Sequence, residues 1–310
     1  MRKGIICCGN VAFDLIAGKD TPGGMVFHAR PGGSVLNTAL QLRRLGLPVS
    51  ILSKTGNDFF ADALLKIVKA ARVRADFVIR DKKQKTGLAF ALINKKGDSS
   101  YLFYKPEGEK TAFTSEQLSP RLFENAAVFH TASNFSYGDF TFENTLTLMA
   151  QAKKQNVFIS YDPNWRESQI KNKQNARKRI KKLFEFAGLL KLSHHDAVGI
   201  TDTKTLSSAL CHLPSNIFVT LGKKGSFFWD GKKKIFQPAF KVATADTIGA
   251  GDAFTSALIY KFCLEGKQLF WEKKKENLKF ASAVSALVCT GKGAIEGLKN
   301  VQQVEKFLNV

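Results

Sequence analysis

Apolar residues recur along this chain in two rhythms. Short continuous runs at residues 4–8, 128–131, 157–162 and 217–221 have the length of buried strands, and the first ends at Gly9-Asn10, as a strand does when it delivers a loop from its C-terminal end. Between and after them the spacing switches to the helical period, over 140–154, 177–186 and 253–264, while 280–290 reads as a helix of small residues. Pro31-Gly32-Gly33-Ser34-Val35-Leu36-Asn37 opens a further amphipathic helix through Leu45, which Gly46 closes. Alternation at 86–94 and 99–104 around Lys95-Lys96-Gly97-Asp98 predicts a hairpin. Strands alternating with helices predict an α/β fold with a doubly wound, mostly parallel sheet flanked by helices. No internal repeat, low-complexity tract or linker divides the chain, so residues 1–310 are expected to form a single domain.

Composition narrows the class. A chain of 310 residues with 44% hydrophobic content can bury a large core. No run approaches the roughly 20 apolar residues of a membrane span, and Asn10 and Asp14 interrupt the apolar stretch behind Met1-Arg2-Lys3 that would otherwise imitate a signal peptide. Five cysteines, odd in number and scattered without Cys-x-x-Cys spacing, point to a reducing compartment, so a cytoplasmic protein is expected. The formal charge of +21 suits nucleic acid, a membrane surface or a polyanionic substrate. Its lysines and arginines fall in helix-like stretches such as 171–182 and 273–275, with no aromatic-interleaved RNA motif or zinc finger, which reads as a solvated basic surface rather than a nucleic-acid site.

The chemistry concentrates at Asp246-Thr247-Ile248-Gly249-Ala250-Gly251-Asp252-Ala253-Phe254, where a loop gives way to a helix. Gly249 and Gly251 let successive amides converge on one point, and the helix N-terminus reinforces that focus, which makes an anion cradle. A carboxylate there is either a general base or a helix cap, and the sequence leaves both readings of Asp252 open. The string is neither a Walker A loop nor a Gly-x-Gly-x-x-Gly fingerprint. Asp14, beyond the first strand, is either a polyol ligand or a solvated turn residue. Asp162-Pro163-Asn164-Trp165-Arg166 ends another strand, and Arg166 offers a fork for phosphate or carboxylate unless the segment is simply an Asx-Pro turn. His194-His195 lacks a third ligand nearby and reads as loop rather than zinc site.

Taken in order, these motifs resemble the PfkB/ribokinase family of carbohydrate kinases, fructokinase-like members above all. The string 246–254 is similar to the family's C-terminal signature, which implies Asp252 as the base that deprotonates a sugar hydroxyl attacking the γ-phosphate of ATP, with Gly249, Ala250 and Gly251 stabilising charge on the transferring group. Gly32-Gly33 and Asn37 match the family's Gly-Gly-x-x-x-Asn segment, so the resemblance implies a sugar site of Asp14, Gly32, Gly33, Asn37, Asn164 and Arg166. Thr220-Leu221-Gly222-Lys223-Lys224-Gly225 matches its nucleotide loop and, with Ser193, implies a nucleotide site of Ser193, Thr220, Gly222 and Gly225, although Gly-Lys-Lys-Gly is also a common turn between strands. Asp196 stands where the family usually carries Glu and implies magnesium held through water, and Asp246 implies a monovalent cation such as K+. Segments 15–31 and 86–105 resemble the small β-sheet lid that covers the sugar, a face through which a homodimer would form. The resemblance favours fructose as acceptor and leaves ribose, a 2-keto-3-deoxy sugar acid or a nucleoside open. A reading of another class, an inactive regulatory or nucleic-acid-binding member, follows from the charge.

Overall fold

The computed structural model describes residues 3–19, 21–93, 99–104 and 112–309. In chain order its strands are β1 (Gly4–Cys8), β2 (Ala12–Ala17), β3 (Phe27–Gly32), β4 (Val49–Gly56), β5 (Arg74–Asp81), β6 (Gly87–Ile93), β7 (Ser99–Tyr104) and β8 (Ala126–Ala132). They continue with β9 (Phe158–Asp162), β10 (Leu189–Ser193), β11 (Ile217–Thr220), β12 (Ser226–Trp229) and β13 (Lys234–Gln237). The helices are α1 (Ser34–Arg44), α2 (Phe59–Ala70), α3 (Asn134–Tyr137), α4 (Phe142–Lys154), α5 (Lys173–Phe184), α6 (His194–Thr201), α7 (Leu206–Leu210), α8 (Ala250–Glu272), α9 (Lys274–Val288) and α10 (Val301–Leu308).

A nine-stranded sheet runs in the order β13-β12-β11-β10-β9-β8-β1-β4-β5, parallel except where β12 and β13 turn back antiparallel at one edge. Its central strands are mostly apolar because both faces are covered, with His130, Asp162 and Lys191 buried among them in β8, β9 and β10. In β1, Ile5 and Cys7 pack under α1, α8 and α9, while Ile6 and Cys8 face the layer of α4 and α5. The same alternation sends Val128 and Ala132 of β8 to the first layer and Phe129 to the second. No helix among the described residues is long and apolar enough to cross a membrane.

A separate four-stranded sheet, in the order β3-β2-β6-β7, grows from the segment after β1 and from the expected hairpin. The predicted hairpin pairs as β6 and β7, from Leu88 opposite Tyr104 to Ile93 opposite Ser99, while its Lys95–Asp98 turn lies outside the described residues. Asp58, the N-cap of α2, ties this sheet to the body by accepting from Thr86 through both its amide and its hydroxyl, each at 2.8 Å. A second tie is the ion pair of Arg30 on β3 with Glu296.

Several boundaries differ from the pattern. β4, α2 and β5 fill a stretch for which no element is predicted above. The helix expected at 177–186 starts earlier, at Lys173, because Asn172 caps it by accepting from the Asn175 amide at 3.0 Å. The helix expected at 253–264 starts at Ala250 and runs to Glu272, with a break in helical geometry at Gly266.

Candidate active site

Strand order reverses between β1, which continues to β4 and β5, and β8, which continues to β9, β10 and β11. In an open parallel sheet, ligands bind beyond the C-terminal ends of the strands at such a reversal. The loop leading into α8 is built there. Asp246 holds it, since one carboxylate oxygen accepts from the Ile248 amide at 3.0 Å and the other from the Gly293 amide at 2.9 Å. Gly249 has φ 76°, and a Cβ on it would lie 2.5 Å from the Ala294 Cβ, so only glycine fits against the 291–294 turn. The first amides of a helix lack intrahelical acceptors; in α8 the Ala250 amide donates to Thr247 O at 3.3 Å, and the amides that follow it open onto this end.

Asp252 lies in the first turn of α8, but it does not cap the helix. The N-cap is Gly249, and the carboxylate reaches across to α1, accepting from Ser34 Oγ at 2.5 Å and from Asn37 Nδ2 at 2.8 Å. That outcome corrects the helix-cap alternative. It also revises Asn37, which meets the candidate base directly and keeps its own buried Oδ1 without a protein partner. Gln41, one turn further along α1, donates to Ala294 O at 2.6 Å and lies 3.2 Å from Gly249 O. Ser34, Asn37 and Gln41 thus form one polar stripe facing the start of α8. Burial pushes the Asp252 carboxyl above the usual carboxylate range, while the hydrogen bonds from Ser34 and Asn37 pull it back.

Asp14, on β2, lies over Gly32, where a Cβ would come within 2.4 Å of its carboxyl carbon. Burial and the neighbouring Asp252 charge raise Asp14 to about 6, with Arg166 opposing. Asp14, Asp252 and Arg166 therefore act on a shared space. Gly33, the N-cap of α1, joins that space from β3. Asn164 takes the left-handed conformation at φ 43°, with its amide donating to Asp162 Oδ1 at 3.2 Å, two residues before the exposed Arg166.

The residues expected to line a nucleotide meet at adjoining strand ends, where Ser193 pairs with Thr220. Gly222 and Gly225 form the turn from β11 into β12, closed by the Gly225 amide donating to Gly222 O at 3.0 Å. Ser193 also caps α6, accepting from the Asp196 amide at 3.1 Å. Asp196 is buried, and its two oxygens accept from the Trp165 amide at 2.6 Å and the Ser193 amide at 2.5 Å. The carboxylate therefore braces the Arg166 loop against β10. Each oxygen keeps a lone pair, which suits contact with a metal's water shell better than direct ligation. His194 and His195 are exposed and stack on each other, and the described residues contain no group of three or more His, Cys, Asp or Glu able to hold a metal.

Two participants escape the motif reading. Ser34 lies inside a quoted motif, but only the crossing of α1 over α8 brings it to Asp252. Lys191, buried in β10, donates to Asp162 Oδ2 at 2.9 Å. Its signal is a lone charge among Leu189, Leu190 and Leu192.

A carboxylate beside an open helix N-terminus, with polar side chains converging from a second sheet, can take a proton from a hydroxyl while the amides receive an anionic group. Comparison with known proteins agrees with that chemistry. A family described as pfkB family carbohydrate kinase matches residues 2–300. Fructokinase-1 of Zea mays is 30% identical over 316 residues, covering 99% of this chain and 98% of its own length. The crystal structure of a fructokinase with bound ATP from Xylella fastidiosa superposes with a TM-score of 0.89 at 26% identity, over 100% of this chain and 99% of that one. A fructokinase double mutant from Vibrio cholerae O395, in a form with fructose, ADP and potassium ion bound, superposes at 0.86 with 22% identity over 99% and 98% of the two chains.

Proposed function

This chain belongs to the pfkB family of carbohydrate kinases, a phosphotransferase acting on a sugar hydroxyl with ATP as donor, and we propose that its acceptor is fructose. The observation that carries the phosphoryl-transfer reading is Asp252, a buried carboxylate at the N-terminus of α8 next to Gly249, Ala250 and Gly251, and the fructokinase relatives favour the ketohexose. In this proposal Asp252 takes the proton of the attacking hydroxyl, the sugar oxygen bonds to the γ-phosphorus, and the bond to the β–γ bridging oxygen breaks to release ADP. Amides of 249–251 receive charge from the transferring group, so catalysis is positioning plus electrostatics.

Asp14, Asn37, Asn164 and Arg166 would hold sugar hydroxyls over Gly32 and Gly33, and the unpartnered Asn37 Oδ1 supports this because it lacks a donor. Ser193, Thr220, Gly222 and Gly225 would line the nucleotide. Magnesium would supply charge neutralisation on the nucleotide phosphates, with Asp196 orienting its water shell. Asp246, already braced by two amides, would face K+ with its remaining lone pairs. The four-stranded sheet would act as a lid within a single kinase unit, and exposed Leu102 and Tyr104 on β7 favour a homodimer through that face. Five free thiols suit a cytoplasmic protein.

A coupled ADP-release assay over fructose, ribose, a 2-keto-3-deoxy sugar acid and nucleosides tests the acceptor. Fructose is expected to give the highest kcat/KM, and a clear preference for another acceptor would replace it. The charge of +21 favours a second reading, a polyanion-binding protein, which would require salt-sensitive binding to random DNA without turnover on any acceptor.

A further inference from the structure

Behind the anion loop lies a buried cation that none of the matched motifs uses. Lys191 alternates in β10 with Leu190 and Leu192, so its side chain points to the α8 layer, where it is 5% exposed and paired with Asp162, itself 1% exposed. A Cβ on Gly251 would lie 3.1 Å from Lys191 Nζ, so the ammonium rests against the back of the loop. Asp162 clamps it from β9, and Thr255 Oγ1, one turn into α8, lies 3.2 Å from both Asp162 Oδ2 and Gly251 O. The pair therefore joins β9, β10 and α8 directly beneath the proposed transfer site.

Stability alone does not account for a charge here. Removing two ions from water is costly, and replacing a buried pair with apolar residues is often neutral or stabilising. With leucines on either side, an apolar residue at this position would serve the core. The surroundings are instead acidic. Facing Lys191 are Asp162 of β9, Asp196 of α6 and Asp252 of α8, and against burial they hold its ammonium above the usual lysine range. His130 of β8 feels both members of the pair but is itself buried and pushed down to about 4. Around Asp252 stand Asp14 of β2, Asp162, Lys191, and Ser34 and Asn37 of α1, with Arg166 acting on Asp14.

We propose that Lys191 is a positioning residue of phosphoryl transfer: clamped by Asp162 behind Gly251, its ammonium supplies the fixed positive charge that lets an anionic group settle at the start of α8 among several carboxylates. The inference rests on the sugar-kinase reading above. It gives Asp162 a defined task, holding the cation, distinct from the turn it begins. It also separates two effects, because Lys191 favours the ionised form of Asp252 whereas Asp162 opposes it.

The test compares the purified wild-type chain with Lys191→Met and with the double variant Asp162→Asn/Lys191→Met, which leaves no orphaned buried carboxylate. Thermal melting, kcat, sugar KM and the pH profile of kcat at saturating sugar are measured with fructose and ATP. Lys191→Met should lower kcat at least about tenfold, less than the roughly 10²–10³ that losing a directly contacting donor costs because the ammonium stands behind Gly251, with sugar KM changed by less than about threefold. Its acid limb should move to higher pH, since Asp252 loses a cation that favours its charge. The double variant should melt near the wild type and return the limb toward it while keeping a reduced kcat. Wild-type kcat in Lys191→Met, or recovery of both melting and kcat in the double variant, would overturn the inference, as would failure of both variants to fold. A wild-type chain inactive on every sugar would overturn the kinase reading and this inference together.

Discussion

Asn37 Nδ2 and Asp252 Oδ2 meet at 2.8 Å although 215 residues separate them in sequence. With Ser34 Oγ on the other carboxylate oxygen, α1 holds the candidate base in one orientation. A carboxylate has about four lone-pair sites, so two remain for an incoming hydroxyl. Binding and proton transfer are therefore coupled through one amide side chain.

Asn37→Ala should accordingly raise sugar KM and lower kcat together, each by about tenfold, because a hydrogen bond to a charged group is worth roughly 1.5–3 kcal/mol. Steady-state kinetics on the sugar would separate the roles. A KM change with unaltered kcat would reduce Asn37 to a binding contact.

Asp252→Asn keeps the shape of the side chain but cannot accept the hydroxyl proton. Loss of a general base typically costs about 10²–10⁴-fold, so kcat should fall by at least that factor while ATP still binds. Melting should shift modestly, through one hydrogen bond to α1 that must rearrange. Near-normal turnover would remove Asp252 from the reaction.

Asp14 carries a pH signature. Its carboxyl is raised to about 6, so between its ordinary value and that point the folded chain binds more protons than the unfolded one, and its contribution to stability declines as pH rises through the window. Sugar binding runs the other way, because the ionised form offers acceptors that the protonated form lacks. Sugar KM should climb as pH falls below about 6 in the wild type and stay level in Asp14→Asn. An acid limb that persists unchanged in the variant would assign it to another group.

Gly249→Ala tests the loop. At φ 76° a side chain is strained, and the new Cβ would meet Ala294 at 2.5 Å, so about 1–3 kcal/mol of stability should be lost. Denaturant unfolding together with ATP KM would show it, and ATP affinity should weaken as the amides shift. A variant unchanged in both would mean that the 291–294 turn moves freely.

The body of this fold was legible because strands such as β1 and β11 carry apolar residues on both faces and are short, a pattern with few alternatives in a chain of this length. The anion loop was legible because glycines before a helix restrict what the backbone can be doing. Contacts across the chain were not. Periodicity tells which face of α1 is buried, yet the stripe of Ser34, Asn37 and Gln41 gains meaning only once α8 lies against it. Capping by Asn172 was missed because the basic run that follows it hides the start of the helix. Lys191 carried a signal, a cation inside an apolar strand, but its partner Asp162 belongs to a different strand whose register no local pattern reveals.

The polar stripe on α1 also constrains how the molecule is made. As the chain leaves a ribosome, α1 emerges long before the groups that satisfy it, since Gly249, Asp252 and Ala294 come more than two hundred residues later. Until then Ser34, Asn37 and Gln41 face solvent, and the helix has no fixed neighbour on that side. Contacts of such separation close late in folding. A nascent chain short of Asp252 thus holds neither anion cradle nor oriented base, and its ability to transfer phosphate would arrive late, after the strands of the sheet have all been made.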